Sequence, residues 1–307
     1  IHAGTSTLTV TGIGDCLGVV VTEDWSISKA PLTIAAKDES ASYGDDVPTL
    51  TASYTGFVAG ETETVLGGAL TLTTTYVKGS PVNTYPISVS GCTSIDYAIT
   101  YVEGELKVNP VKLSASVSGT YIYNGSVQTV SYTVTGVGPM VLGTDYTVYG
   151  ETSAKNGGQH RFTVEGIGNY TGSVPLDWTI TKTPLRISVV DQVVQVGKNL
   201  GVWEYTSIGF IEGEGLTDLT GTMTVSTTYT TSSSKGTYPA TPGGCTSDDY
   251  EITYVPGKVT AISGDEMKIV ILGTYMYNGE PQKVKYTCVK PDDFQPTYDV
   301  SGDTCPA

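Results

Sequence analysis

Residues 91–102 read GCTSIDYAITYV and residues 244–255 read GCTSDDYEITYV. Ten of the twelve positions are identical, 153 residues apart. A repeat of that period constrains the architecture before any local pattern is read, because it is too long for a solenoid unit and suits a pair of small domains. The same spacing carries Trp25 to Trp178, Pro31 to Pro184, Gly56-Phe57 to Gly209-Phe210 and Thr84-Tyr85-Pro86 to Thr237-Tyr238-Pro239. A second series, displaced by one residue, carries Gly119-Thr120-Tyr121-Ile122-Tyr123-Asn124-Gly125 to Gly273-Thr274-Tyr275-Met276-Tyr277-Asn278-Gly279, and Tyr132 to Tyr286. The period thus holds two kinds of module. Type M occupies 30–109 and again 183–263, and type Y occupies 110–182 in full.

The local pattern is that of strands. Thr, Tyr and aliphatic β-branched residues dominate, and 37 Gly with 15 Pro punctuate the turns. Tyr outnumbers Phe by 21 to 4, which suits thin sandwich cores where a ring is buried and its hydroxyl reaches the wet edge. Sustained helical periodicity is absent, and 59–68 is at most a short helical turn. In Tyr97-Ala98-Ile99-Thr100-Tyr101-Val102 the residues Tyr97, Ile99 and Tyr101 share a face, and Tyr250, Ile252 and Tyr254 repeat it. We read that stripe as core. Glu103-Gly104 and Pro256-Gly257 read as hairpin turns. Trp25 with Ile27, and Trp178 with Ile180, fill a core from one strand face. The expected fold is all-β: small Ig-like β-sandwich modules in tandem, in an elongated end-to-end array.

A net charge of −15 and a pI near 4.4 argue against nucleic acid and anionic membrane surfaces as partners. There is no apolar run long enough to span a bilayer, and the chain opens on Ile1 without a signal-peptide pattern, as expected of a chain processed or cut from something longer.

The stretch PLTIAAKDESASYGDDVPTLTASYTGFVAGE, with NTYPISVSG and DYAITYVEGELKV, resembles the MBG domain of the YGX type. The stretch YNGSVQTVSYTVTG through GQHRFTVEGIGNYTGSVPLDWTITK resembles its frequent companion, the YDG-type repeat. Tyr43-Gly44-Asp45 matches the motif that names the first family, and Val194-Gln195-Val196-Gly197-Lys198 lacks its Tyr and Asp. The resemblance implies a bacterial secreted or surface-anchored protein with a scaffold or adhesion role.

The sequence offers no catalytic constellation, cofactor site or metal site. His2 and His160 stand outside any nucleophile or metal spacing. Gly166-Ile167-Gly168-Asn169-Tyr170-Thr171-Gly172 resembles a phosphate loop, but with no helix behind it a hairpin is expected. The acidic pairs Asp45/Asp46, Asp248/Asp249 and Asp292/Asp293 read as solvated loop charge, with Ca²⁺ held between modules as the alternative. Asn124-Gly125-Ser126 and Asn169-Tyr170-Thr171 are formal glycosylation tripeptides.

The two ends carry the remaining signal. Residues 1–29 match only the back of module Y, and residues 264–307 only its front; together they are as long as the intact 110–182. The chain is a closed number of repeats cut open inside a module. Either it is one unit of a very long polypeptide, or subunits polymerise head to tail with Leu8, Val10, Trp25 and Ile27 of one chain completing residues 264–307 of its neighbour; chance is the third reading. On the hairpin reading of the M module, Cys245 faces the next module and meets Cys16 of a neighbouring subunit, Cys288 pairs with Cys305, and Cys92 is left unpaired. Persistent disulfides fit an extracellular setting. The function expected is an extracellular structural repeat protein forming a fibre, filament or stalk. The alternative is an adhesin or carbohydrate-binding module, touching cell-surface or matrix polysaccharide, with aromatic and polar residues gathered in a loop of one copy and not the other. An enzyme is a distant third.

Overall fold

The computed structural model describes residues 2–58, 60–263, 268–272, 282–283, 285–289 and 304–305. Regular structure there consists of strands and three short 3-10 turns, Gly14–Cys16, Glu63–Val65 and Leu216–Asp218.

The chain begins with two antiparallel strands, β1 (Gly4–Thr11) and β2 (Val20–Ile27), in register from Gly4↔Ile27 to Thr11↔Val20. Module M1 follows with β3 (Ala30–Ala36), β4 (Glu39–Ser42), β5 (Ala52–Thr55), β6 (Gly67–Thr74), β7 (Thr84–Thr93), β8 (Tyr97–Val102) and β9 (Gly104–Asn109). These make a sandwich of two sheets ordered β5-β3-β8 and β4-β9-β7-β6. Strands alternate inward apolar and outward polar residues, so Leu32, Ile34, Ile87 and Leu106 are almost wholly buried.

The turn after the Tyr-x-Ile-x-Tyr strand differs from its sequence reading. It is not a hairpin. β8 pairs parallel with β3, and β9 parallel with β4. The chain therefore keeps its direction at Glu103-Gly104 and passes from one sheet to the other.

Module Y contains β10 (Val111–Lys112), β11 (Ser114–Ser118), β12 (Tyr121–Ile122), β13 (Gln128–Thr129), β14 (Ser131–Thr135), β15 (Tyr146–Gly150), β16 (Ser153–Ala154), β17 (Gly158–Gly166), β18 (Tyr170–Thr171) and β19 (Ser173–Thr181). Its main sheet runs β12-β19-β17-β15, so β17 and β19 are the inner strands. The Gly166–Gly172 loop is the turn between them, as expected from its sequence.

Module M2 repeats M1 with β20 (Thr183–Val189), β21 (Gln192–Gln195), β22 (Tyr205–Ile208), β23 (Thr220–Thr227), β24 (Gly236–Thr246), β25 (Tyr250–Val255) and β26 (Gly257–Ile262), in sheets β22-β20-β25 and β21-β26-β24-β23. Its core is redistributed rather than copied. At the repeat positions Ile87 and Val108 become Ala240 and Ala261, while Ala36, Ala41 and Leu50 become Val189, Val194 and Trp203. Trp203 packs against the same buried cluster. Volume lost at one place is restored at another, which sandwich cores tolerate.

The chain closes with β27 (Lys268–Leu272), β28 (Gln282–Lys283), β29 (Lys285–Val289) and β30 (Thr304–Cys305). β27 pairs with β29, and β28 with β30. In module Y, β11 pairs with β14, and β13 with β16. The tail thus reproduces the pairings of the front of Y. By contacts the molecule divides into two units. One holds residues 1–116, 132–150 and 162–176, and the other 117–131, 151–161 and 177–307.

Candidate functional site

The chemistry of this chain is concentrated where one module meets the next. The end of a module that meets its predecessor is called upstream here.

Within the first unit, the downstream end of M1 receives module Y on the motif Tyr43-Gly44-Asp45. Tyr43 meets Tyr170 edge to face, with centroids 5.5 Å apart, a favoured geometry for two rings. Tyr170 Oη donates to the carbonyl of Val137 at 2.8 Å. Gly44 sits at φ +89°, and a Cβ there would lie 2.6 Å from Val137 Cγ1, so glycine admits both the conformation and the approach. Asp45 closes the turn: its carboxylate accepts from Ser42 N at 2.9 Å and its carbonyl from Tyr76 Oη at 2.7 Å. Asn169 Oδ1 accepts from Val82 N at 2.8 Å. In M2, Val196 stands in place of Tyr43, and in the 1–29 segment Cys16 stands in place of Tyr170. Both are exposed.

Within the second unit, module Y seats on the upstream end of M2 through one carboxylate. Tyr123 Oη donates to Glu214 Oε1 at 2.6 Å, and Tyr250 Oη donates to Glu214 Oε2. Tyr250 Oη also accepts from Ile211 N at 2.9 Å. The two rings meet edge to face at 5.4 Å, and Phe210 flanks Tyr250 at 5.3 Å. Burial, reinforced by the hydrogen bond to Glu214, raises both tyrosine pKa values, that of Tyr250 to about 12. Gly157 N donates to Asp249 Oδ1 at 2.6 Å, and Lys182 Nζ to the Ser247 carbonyl at 2.6 Å.

The upstream end of M1 repeats the second set of contacts and half of the first. Ala3 N donates to Asp96 Oδ1 at 2.6 Å, and Lys29 Nζ to the Ser94 carbonyl at 2.8 Å. His2 Nδ1 lies 2.8 Å from Asp96 Oδ2. Residues 2–29 are therefore docked on M1 as the back of Y is docked on M2. Tyr97 Oη donates to Glu61 and accepts from Val58 N at 2.9 Å. Among the described residues, no second hydroxyl donates to Glu61. The same end of M1 carries an open groove of about 530 Å³, lined by His2, Val65, Leu66, Thr93, Ile95 and Asp96.

The residues singled out for joining subunits divide sharply. Ser6, Leu8 and Val10 share a face with Val21, Glu23 and Trp25 by the strand register. Leu8, Val10 and Trp25 are 57%, 57% and 52% exposed, and Ile27 is half-buried. Their counterparts Phe162, Val164, Trp178 and Ile180 are at most 3% exposed. The opposite face carries Thr5, Thr7, Thr9 and Thr11.

Cys245 is placed opposite to expectation. Since β25 runs parallel to β20, the 246–250 turn lies at the upstream end of M2, beside Lys182 and Gly157. Cys245 itself is buried, Cys92 is half-buried and Cys16 is exposed in the β1–β2 turn. Cys245 therefore does not face the module that follows M2. Cys288 and Cys305 lie on β29 and β30, and their side chains are outside the described residues. Of the acidic pairs, Asp45 and Asp249 accept the backbone bonds above, Asp46 pairs with Lys78 at 3.3 Å, and Asp292/Asp293 fall outside the described residues. No group of three or more His, Cys, Asp or Glu among the described residues is placed to hold a metal. No helix among them is long and apolar enough to cross a membrane.

A family model for the MBG domain (YGX type) matches residues 32–107 and 185–260. The two M modules are MBG domains of the YGX type. The chain thus carries two MBG domains in tandem, and the motif that names the family lies on the M1–Y joint. No curated protein matches the chain. Solved structures similar to it include PcdhgB3 EC1-4 (9% identity, 85% of this chain and 83% of that one, TM-score 0.21) and the protocadherin gamma B2 extracellular cadherin domains 1–5 (7%, 95% and 72%, TM-score 0.20). The protocadherin GammaB4 extracellular domain is a third (8%, 93% and 61%, TM-score 0.20). At TM-scores this low the likeness fixes neither fold nor function.

Proposed function

We propose that this chain is the structural unit of an extracellular fibre or stalk, lengthened head to tail, in which residues 1–29 of one copy complete residues 264–307 of another. The observation that carries the reading is the bare apolar face of β1–β2, set against the buried face of β17–β19. β17 and β19 are inner strands of a four-stranded sheet, whereas β1–β2 has both edges open among the described residues. An isolated two-stranded ribbon is marginal in water. The tail carries the complementary set, strands placed as β11, β13, β14 and β16 are. Covering each large apolar side chain contributes roughly 1.5–3 kcal/mol. The contact is heterologous, so each added copy presents it again and growth stays open. The paired change of Tyr43 and Tyr170 to Val196 and Cys16 fits the same joint, since both sides lose bulk together. The family resemblance supports an extracellular, non-catalytic role. Trp203, an aromatic of M2 with Leu50 at its place in M1, packs against the M2 core and so does not favour the alternative of a carbohydrate-binding loop.

The test is sedimentation of the purified 307-residue chain with electron microscopy. Concentration-dependent filaments, capped by an excess of a 1–29 peptide, are expected. A chain that stays monomeric, with Trp25 fluorescence fully solvent-quenchable at high concentration, overturns the reading. Denatured, reduced native fibres should yield chains near 32.2 kDa if subunits are separate, and one far larger polypeptide if the repeats are joined covalently.

A further inference from the structure

We propose that Glu61 and Tyr97 form a socket on M1 for Tyr277 of a second copy. The inference rests on the head-to-tail reading above and names a second, independent contact of the same joint.

The template is within the chain. Glu214 binds two tyrosine hydroxyls, one from its own module (Tyr250) and one from the module before it (Tyr123). At the repeat positions M1 has Glu61 for Glu214, Tyr97 for Tyr250 and Phe57 for Phe210. The inner half of the site is already assembled. Tyr97 donates to Glu61, accepts from Val58 N, and is met edge to face by Phe57 at 5.5 Å, as Phe210 meets Tyr250. The outer half is open. Glu61 is exposed where Glu214 is half-buried, Val58 is exposed where Ile211 is half-buried, and Leu66 is half-buried where Leu219 is buried.

What covers M2 at this place is the segment Tyr121–Gly125, and its one repetition is Tyr275–Gly279. Tyr277 is the counterpart of Tyr123. In the head-to-tail arrangement it arrives at M1 of the neighbouring copy together with the strands that β1–β2 completes. One contact of the template is lost: Thr183 Oγ1 donates to the Tyr123 carbonyl at 2.5 Å, and Ala30 stands in its place. The hydroxyl–carboxylate bond and the ring contact remain available. A carboxylate with one oxygen already engaged and the other facing solvent is a specific acceptor for a phenol, because charge-assisted bonds are the stronger class.

The experiment is a double-mutant cycle on the association constant of the 307-residue chain, using Glu61→Gln and Tyr277→Phe. Each is expected to weaken association roughly ten- to a hundredfold, and the double variant no more than the worse single one. Tyr277→Phe changes no residue of M1, so it remains decisive if Glu61→Gln perturbs M1. If the wild-type chain associates and Tyr277→Phe associates equally well, the socket is wrong while strand completion stands. A wild-type chain that never associates overturns both.

Discussion

The strand pairs β17–β19 and β1–β2 share the positions of their large apolar residues, Phe162, Val164, Trp178 and Ile180 against Leu8, Val10, Trp25 and Ile27, and end in opposite environments. Phe162 and Trp178 are 1% and 3% exposed; Leu8 and Trp25 are 57% and 52% exposed. The shared apolar positions do not make the difference. It lies in whether the front half of a Y module is folded against them. Burial here is a property of the assembled module, and one apolar stripe is a core or an interface according to what reaches it.

Substitution at the two tryptophans should open the widest gap. Trp178→Ala empties a filled core and breaks the indole bond to the Glu151 carbonyl (2.7 Å), and should cost about 3–5 kcal/mol in chemical denaturation. Trp25→Ala should leave the unfolding of the isolated chain unchanged and abolish self-association. Equal losses of stability from both would remove the contrast.

Gly56→Ala and Gly209→Ala test whether the M modules are as equivalent as the Y halves are not. Both glycines sit in the left-handed region, φ +117° and +114°, and a Cβ at either would lie 2.4 Å from the carbonyl of Pro31 or Pro184. Each should lose about 2–3 kcal/mol, with melting curves of the two variants superimposable.

The filled and half-filled carboxylate sites should separate in alkali. The pKa of Tyr250 is raised from 10.0 to about 12, and that of Tyr123 is raised as well. The folded state favours the protonated phenols. Their contribution is whole below pH 10 and is lost as pH climbs through about 12. Near-ultraviolet absorbance should show late-ionising tyrosines, and Glu214→Gln should bring their ionisation earlier by removing the adjacent negative charge.

The smallest effect is expected at the docking of residues 2–29 on M1. The hydrogen bonds from His2 and Ala3 N hold the Asp96 pKa below its usual 3.8. That contribution is present above pH 3.8 and lost as pH falls below it. Hydrogen exchange on acidification should release β1–β2 while the M1 core stays protected. Simultaneous loss of both would show that the ribbon is not an independent element.

The repeat made the two M modules legible, and the Tyr97/Ile99/Tyr101 stripe gave a correct core face. Period-two burial and a 153-residue echo need no partner to be seen. The direction of the chain after that stripe was not legible. Glu103-Gly104 carries the composition of a hairpin, and only the parallel pairings β3 with β8 and β4 with β9 make it a crossing between sheets. That crossing also put Cys245 at the upstream end. The tyrosine–carboxylate joint was hidden in another way. Both halves, Thr-Tyr-x-Tyr-Asn-Gly and Gly-Phe-x-x-Gly-Glu, are visible as repeats, yet Tyr123 and Glu214 are 91 positions apart. Local pattern records which face of a strand is buried. Which hydroxyl meets which carboxylate depends on how one folded module seats on another, and that is fixed only when both surfaces exist.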